Sequence, residues 1–185
     1  NAQETYTSRY THETLALAFA ITEEAIEDNL YDRLASRYTK ALARSMANTK
    51  QVKAANVLNN AFGTANGGDG KELCATDHPI TAGTEQNELS TAADLNETSL
   101  EQSLIDIAAM TDERGLKIAA QGTKLIIPSA LQFTAERLMK SAGRTGTADN
   151  DINAVVSKGM IPQGYTVNHY LTDTDAFFIK TDVPN

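Results

Sequence analysis

The chain has no tryptophan and a single cysteine, Cys74. One cysteine excludes an intrachain disulfide, and a reducing compartment is the simple reading. Aromatic residues make up only 6% of the sequence, so the core must be built from Leu, Ile, Val and Ala. Cations are also short, with 16 Lys and Arg against 24 Asp and Glu and a formal net charge of −8. Wholesale duplex binding needs clustered Lys and Arg to neutralise phosphates, and this balance argues against it. No run of about 18 apolar residues occurs, so no membrane-spanning helix is expected. Internal repeats and low-complexity tracts are absent as well. What remains is globular in composition: 185 residues, 41% hydrophobic and 22% charged, enough for one domain or two small ones. The sequence opens on Asn1, with neither Met nor a signal peptide, and closes on Asn185 just after an apolar run. That reads as a processed product or an ordered fragment.

Thr14 to Ile21 alternates large and small residues, placing Leu15, Leu17, Phe19 and Ile21 on one face of a strand. A helix from Thr11 is the rival reading. Thr22-Glu23-Glu24, a cap followed by two carboxylates, favours strand and then helix. Ile26, Leu30, Leu34, Tyr38 and Leu42 recur every four residues, widened by Ala41 and Met46. A break is expected at Asn48-Thr49, after which Val52, Ala55, Leu58 and Phe62 continue to Gly63. If collinear, residues 22–62 make a rod of about 60 Å, against about 40 Å for the diameter of a compact chain of this length. Such a rod implies a subunit that buries surface against neighbours.

Beyond it the sequence predicts a loop over 63–70, a short strand Glu72–Ala75 and a polar connection over 81–97. A helix capped by Thr98 or Ser99 follows, with Leu100, Leu104, Ile107 and Ala108 inward and its end at Gly115. Lys124–Ile127 reads as a buried strand stopped by Pro128, and Ser129 as the cap of a helix through Ala142 that faces Leu131, Ala135 and Leu138 inward. After a loop over 144–151, strands Tyr165–Leu171 and Ala176–Ile179 are joined by the turn Thr172–Asp175.

Chemical motifs are few. Gly67-Gly68-Asp69-Gly70-Lys71 imitates a phosphate loop, but Ala65 and Glu72 stand where Gly and Ser or Thr are required. Asp149-Asn150-Asp151-Ile152-Asn153 opens like a calcium loop, yet Ala154 and Met160 occupy the Gly and Glu positions. Cys74 and His78 could form a nucleophile and base, although a lone cysteine on a strand is more often a small buried hydrophobe. His12, His78 and His169 are too scattered for a metal set. Glu23, Glu24, Glu27 and Asp28 could be paired carboxylates, but a helix start already accounts for them. Asn96-Glu97-Thr98 is a glycosylation sequon, irrelevant in a cytosolic chain.

The order of elements is more informative. Residues 19–31 (FAITEEAIEDNLY), 54–62 (AANVLNNAF), Gly68-Asp69-Gly70-Lys71 with His78-Pro79, 124–128 (KLIIP) and 170–179 (YLTDTDAFFI) together resemble major capsid proteins of tailed bacteriophages. That resemblance implies an α+β chain of the Hong Kong 97-like capsid fold, with an extended arm, a long spine helix, a peripheral domain and a mixed α/β axial domain. Residues 1–21 would be the returning strand of the extended loop and 22–62 the spine helix. Residues 63–97 would carry peripheral loop, strand and connection, and 98–185 the axial domain and the start of the return to the peripheral domain. The family's N-terminal arm would precede Asn1 and its closing peripheral strands would follow Asn185.

The implied function is a structural major head subunit of a phage or prophage. It would form hexamers and pentamers in an icosahedral shell enclosing double-stranded DNA without sequence-specific binding. Scaffolding or decoration proteins are further partners implied by the family, and assembly would take place in the bacterial host cytoplasm. An acidic wall suits DNA that must slide past it. Some relatives crosslink through a lysine and an asparagine, for which no matching pair can be placed here. The resemblance implies no catalytic, cofactor-binding or metal-binding residue. An encapsulin-like compartment shell is the alternative within the lineage, and a cytosolic Cys74/His78 hydrolase the alternative outside it.

Overall fold

A computed structural model describes residues 6–9, 11–28, 31–63, 67–144 and 151–183. The chain divides into two compact units, Arg9–Val57 and Asn1–Ser8 with Leu58–Asn185.

In the Arg9–Val57 unit, residues 11–21 form neither strand nor helix, which corrects the strand expected over Thr14–Ile21. A strand is completed by a ladder of hydrogen bonds to a neighbour, and among the described residues none pairs with this segment. Its alternation is therefore unspent: Leu17 is 49% and Phe19 41% exposed. Helix α1 (Glu23–Glu27) starts where expected, with Thr22 Oγ1 accepting from Ala25 N at 3.4 Å. It closes at Asp28, whose N–H reaches back to the Glu24 and Ile26 carbonyls.

Helix α2 then runs from Tyr31 to Asn59, about 44 Å at 1.5 Å per residue. The break expected at Asn48-Thr49 does not occur. Thr49 Oγ1 donates to Ser45 O at 2.9 Å, so the hydroxyl is satisfied inside the helix and does not cap a new one. Helix α1 is closed at Asp28 and α2 is described from Tyr31, residues 29 and 30 between them lying outside the described residues.

The second unit begins with a two-stranded antiparallel hairpin, β1 (His78–Ile80) and β2 (Gly83–Glu85). Glu72–Ala75 is not the strand its composition predicts. Its amides are spent irregularly, Cys74 N on Ala61 O at 2.9 Å and Ala75 N on Asn87 Oδ1 at 2.8 Å. Pro79 is tolerated because a two-stranded ladder consists of edges.

Helix α3 (Glu97–Ala109) is capped by Asn96, not by Thr98 or Ser99. Asn96 Oδ1 accepts from Ser99 N at 2.9 Å while Ser99 Oγ accepts from Asn96 N at 3.0 Å, a reciprocal box that satisfies two orphan amides. Leu100, Leu104 and Ile107 face inward as expected, whereas Ala108 is exposed. The helix stops at Ala109 and not at Gly115. Gly115, at φ 79°, belongs to a turn in which the Asp112 carboxylate accepts from Arg114 N and Leu116 N.

Strand β3 (Gly122–Ile127) ends at Pro128 as the sequence predicts. A 3-10 turn over Ser129–Leu131 leads into α4 (Gln132–Lys140), and Ser129 makes no cap. The loop expected over 144–151 has its middle, residues 145–150, outside the described residues. A short α5 (Ala154–Ser157), which the sequence pattern did not announce, precedes β4 (Tyr165–Val167) and β5 (Phe178–Thr181).

These last strands do not form the hairpin expected from the turn at 172–175. The sheet order is β4-β3-β5, with β4 parallel and β5 antiparallel to β3. The apolar β3, fully buried at Leu125 and Ile127, takes the centre and each shorter strand pairs along one edge. The core joins Leu95, Leu100 and Leu104 to Leu125, Ile127, Ala135, Leu138, Val155 and Ile161. Gly122 lets α3 and β5 close on β3: a Cβ there would stand 2.7 Å from Leu104 Cδ2 and 3.0 Å from Ile179 Cγ2. Among the described residues, no helix is long and apolar enough to cross a membrane.

Candidate assembly surface

The phosphate-loop and Cys74–His78 motifs are taken up by structural hydrogen bonds. In the Gly67–Lys71 loop the amides that could cradle a phosphate are already spent. Gly67 N donates to Lys71 O at 2.9 Å, Gly68 N to Ser8 Oγ at 3.2 Å, Gly70 N to Gly67 O at 3.1 Å and Lys71 N to Asp69 Oδ1 at 3.1 Å. The Lys71 ammonium pairs with Asp77. An anion nest needs free, convergent N–H groups, and this turn has closed on itself.

His78 does not serve Cys74. Its Nδ1 lies 2.6 Å from Asp69 Oδ2 and its Nε2 lies 3.2 Å from Asn87 Oδ1. The Asn87 amide is oriented by two further bonds, Nδ2 to Leu73 O and Ala75 N to Oδ1, each 2.8 Å. The bond from His78 holds the Asp69 carboxyl below the ordinary carboxylate range. The histidine thus ties the Gly67–Lys71 loop to the segment around Asn87, using both ring nitrogens. Half-buried Cys74 is pushed up to about 11, first by burial and then by the Glu88 carboxylate. A nucleophilic thiol needs the opposite, an electropositive surround and a nearby base. Asp69 and Asn87, the groups that engage His78, carry no sequence signal that would have singled them out.

The calcium-loop imitation falls partly outside the described residues, at 149 and 150. Its Asn153 is 1% exposed and structural, donating Nδ2 to Leu138 O at 2.7 Å while Oδ1 accepts from Val156 N at 3.3 Å. Glu23, Glu24, Glu27 and Asp28 are all exposed in the short α1. The sequon Asn96 has its side chain committed to the α3 cap and to Asp94 O. His12 and His169 are exposed, and among the described residues no three His, Cys, Asp or Glu converge as a metal set.

What the structure does assemble is surface. The unit from Leu58 onward has a cleft of about 1080 Å³ whose apolar lining includes Phe62, Leu73, Ile107 and Phe178. Phe62 and Phe178 stack there with centroids 5.5 Å apart and planes at 21°. Its lining also includes the carboxylates Glu88, Asp94, Asp106, Asp173 and Asp175 against one lysine, Lys180. Elsewhere Ile105 is 60%, Phe133 73% and Ile152 71% exposed. In the Arg9–Val57 unit, Tyr38 and Val57 are 44% and 60% exposed, and Phe19 leans on Tyr38 with centroids 5.8 Å apart. Scattered exposed apolar side chains are normal. A long helix bare over most of its length, beside an unpaired apolar segment, leaves surface that a neighbour could bury.

No curated protein and no solved structure matches this sequence. The profile of the phage capsid protein family matches residues 4–184. The chain therefore belongs to the phage capsid protein family and is a structural, virion-forming protein of bacteriophage.

Proposed function

We propose that this chain is the major head subunit of a tailed phage or prophage. It assembles through hexamers and pentamers into an icosahedral shell around double-stranded DNA, in the cytoplasm of the bacterial host. The observation that carries this reading is a family match over nearly the whole chain. A shell subunit needs no active site and buries its surface against copies of itself. Membership in a capsid family implies that self-association.

The Hong Kong 97-like arrangement belongs to the same proposal. Residues 1–21 are the arm, 22–62 the spine, 63–97 the peripheral loop and connection, and 98–185 the axial domain and the start of the return. The unpaired alternation at Leu15, Leu17, Phe19 and Ile21 supports an arm that gains its ladder from a neighbouring subunit, since an isolated extended segment is marginal in water.

Expression of the full-length gene followed by negative-stain microscopy tests the reading. Uniform closed particles are the expected outcome, and nuclease-protected DNA in the corresponding virions identifies the contents. A strictly monomeric species at high concentration, across several salt and pH conditions, refutes the shell. Particles holding a protein cargo and no DNA refute the phage head in favour of an encapsulin-like compartment.

A further inference from the structure

The net charge of −8 hides a segregation of signs along the chain. Residues 33–53 carry six cations, Arg33, Arg37, Lys40, Arg44, Lys50 and Lys53, and no carboxylate. Residues 72–113 carry ten carboxylates and no lysine or arginine. The cationic block lies wholly within α2. At 100° per residue, Arg33, Arg37, Lys40 and Arg44 fall within an arc of about 60° and span about 16 Å of helix. Leu34, Tyr38, Leu42 and Met46 are centred about 150° around the helix from them.

All four cations of the stripe are exposed. Among the described residues none is in an ion pair, the one pair made by this block being Lys53 with Glu13 at 2.7 Å. Arg44 Nε reaches only the Lys40 carbonyl, at 3.5 Å. Like charges three and four residues apart destabilise a helix, so the stripe is a cost to the isolated subunit.

In the acidic block Asp77, Glu97 and Asp112 pair within the chain with Lys71, Arg144 and Arg114, whereas among the described residues no ion pair engages Glu88, Asp94 or Asp106. Glu88, Asp94 and Asp106 line the cleft together with Asp173 and Asp175. Glu88 is held above the ordinary carboxylate range by burial first and by the Glu72 charge next, with His78 opposing and Asp77 adding to the crowding.

We propose that the basic face of α2, through Arg33, Arg37, Lys40 and Arg44, docks on the acidic 85–113 surface of a second copy of this chain. The docking rests on the shell reading above and names one of its contacts. A second copy is favoured as the occupant because every copy brings the complementary surface, in a family whose members associate with themselves. DNA would have to approach through the field of a chain whose net charge is −8, and such a field opposes polyanion steering. Opposed charge blocks set register and on-rate between copies and are weakened by salt.

The test is a charge swap. Arg37→Glu with Lys40→Glu, and separately Glu88→Lys with Asp106→Lys, are each made in the full chain, with R37Q/K40Q as a milder version and circular dichroism as the folding control. Self-association is followed by sedimentation velocity from 0.05 to 0.5 M salt, and particles by microscopy. Each reversal is expected to weaken association by about tenfold or more, and mixing the two reversed chains is expected to restore it. Wild-type self-association that ignores salt, or folded reversed variants that associate as wild type does, overturns the docking. Reversed variants that associate normally but lose affinity for naked duplex DNA overturn it in favour of a nucleic-acid face. Failure of the wild type to close into particles counts against the shell reading, whereas the docking is still decided by the salt-dependent association.

Discussion

The Cys74 thiol offers the sharpest quantitative check on the site chemistry. Burial, with Glu88 second, raises it from an ordinary 9.0 to about 11. Two pH units correspond to a roughly hundredfold smaller thiolate fraction at neutral pH. Since the thiolate is the reacting species, iodoacetamide should alkylate the folded chain about a hundred times more slowly at pH 7.5 than it alkylates a cysteine peptide. The two rates should converge in 8 M urea. In the folded chain the rate should climb about tenfold per pH unit and level off only near pH 11.

Substituting Glu88→Gln removes only the second cause, so the acceleration should be small, about two- to threefold. His78→Gln should leave the rate unchanged, because neither ring nitrogen is committed to the thiol. The stability consequence has a definite sign. A thiol whose folded value lies above its unfolded one favours folding while it stays protonated. That contribution is complete below about pH 9 and is lost as pH rises through about 11. Because Cys74 is only half-buried, solvent screening keeps the effect small. Alkylation at pH 7.5 as fast as the peptide's, or a tenfold slowing in H78Q, would refute the reasoning and revive a cysteine–histidine pair.

Substitutions at Asn153 and at the Glu97–Arg144 pair test the packing around α4, α5 and α3. Asn153→Ala removes the α5 cap and the donor to the Leu138 carbonyl at the end of α4, for a loss of about 2–4 kcal/mol in urea unfolding. Asn153→Asp keeps the cap but sets carboxylate against carbonyl, and should be at least as costly; an Asp variant as stable as wild type would contradict the assigned geometry. Glu97 lies in the first turn of α3 with 8% of its side chain exposed, and Arg144 Nε sits 3.4 Å from an Oε2 that has no hydrogen-bond donor among the described residues. Arg144→Met should cost about 1–3 kcal/mol by stranding that carboxylate. The E97Q/R144M double variant should cost less than the two single losses added together, and strict additivity would show the pair to be uncoupled.

Much of the second unit was legible because its signals are local. Lys124 to Pro128 combines a β-branched, apolar run with a proline stop, and the strand ends there. Leu100, Leu104 and Ile107 repeat at helical spacing and are buried together. The failures have equally specific causes. Ala108 and the residues up to Gly115 extended a periodic pattern past the point where Met110 turns extended, at φ −52° and ψ 143°. A threonine after an asparagine offers the right oxygen for a cap, but the Thr49 hydroxyl donates its hydrogen bond to the Ser45 carbonyl inside the helix. The turn residues Thr172–Asp175 predict a hairpin, whereas the buried β3 takes a strand along each of its edges.

The site followed the same division. Departures from the phosphate-loop and calcium-loop patterns were visible in the letters at 65, 72, 154 and 160. That His78 is held by Asp69 and Asn87, and that Cys74 is raised by burial, required the fold to place those groups together. The segregation of charge was readable throughout, in a block of six cations followed by a block of ten carboxylates, but the overall sum conceals it.

The sequence by itself determined the apolar periods, the capping chemistry at Thr22, the stop at Pro128, the uneven distribution of charge and the resemblance to a capsid family. Each of these depends on a residue and its neighbours within a turn or two. The tertiary structure alone decided which strand is central, which carbonyl Asn153 caps, which acceptors hold His78 and which apolar side chains remain uncovered. Those outcomes depend on hydrogen-bonding and apolar groups far apart in the chain competing for the same partners, and only the folded arrangement settles that competition.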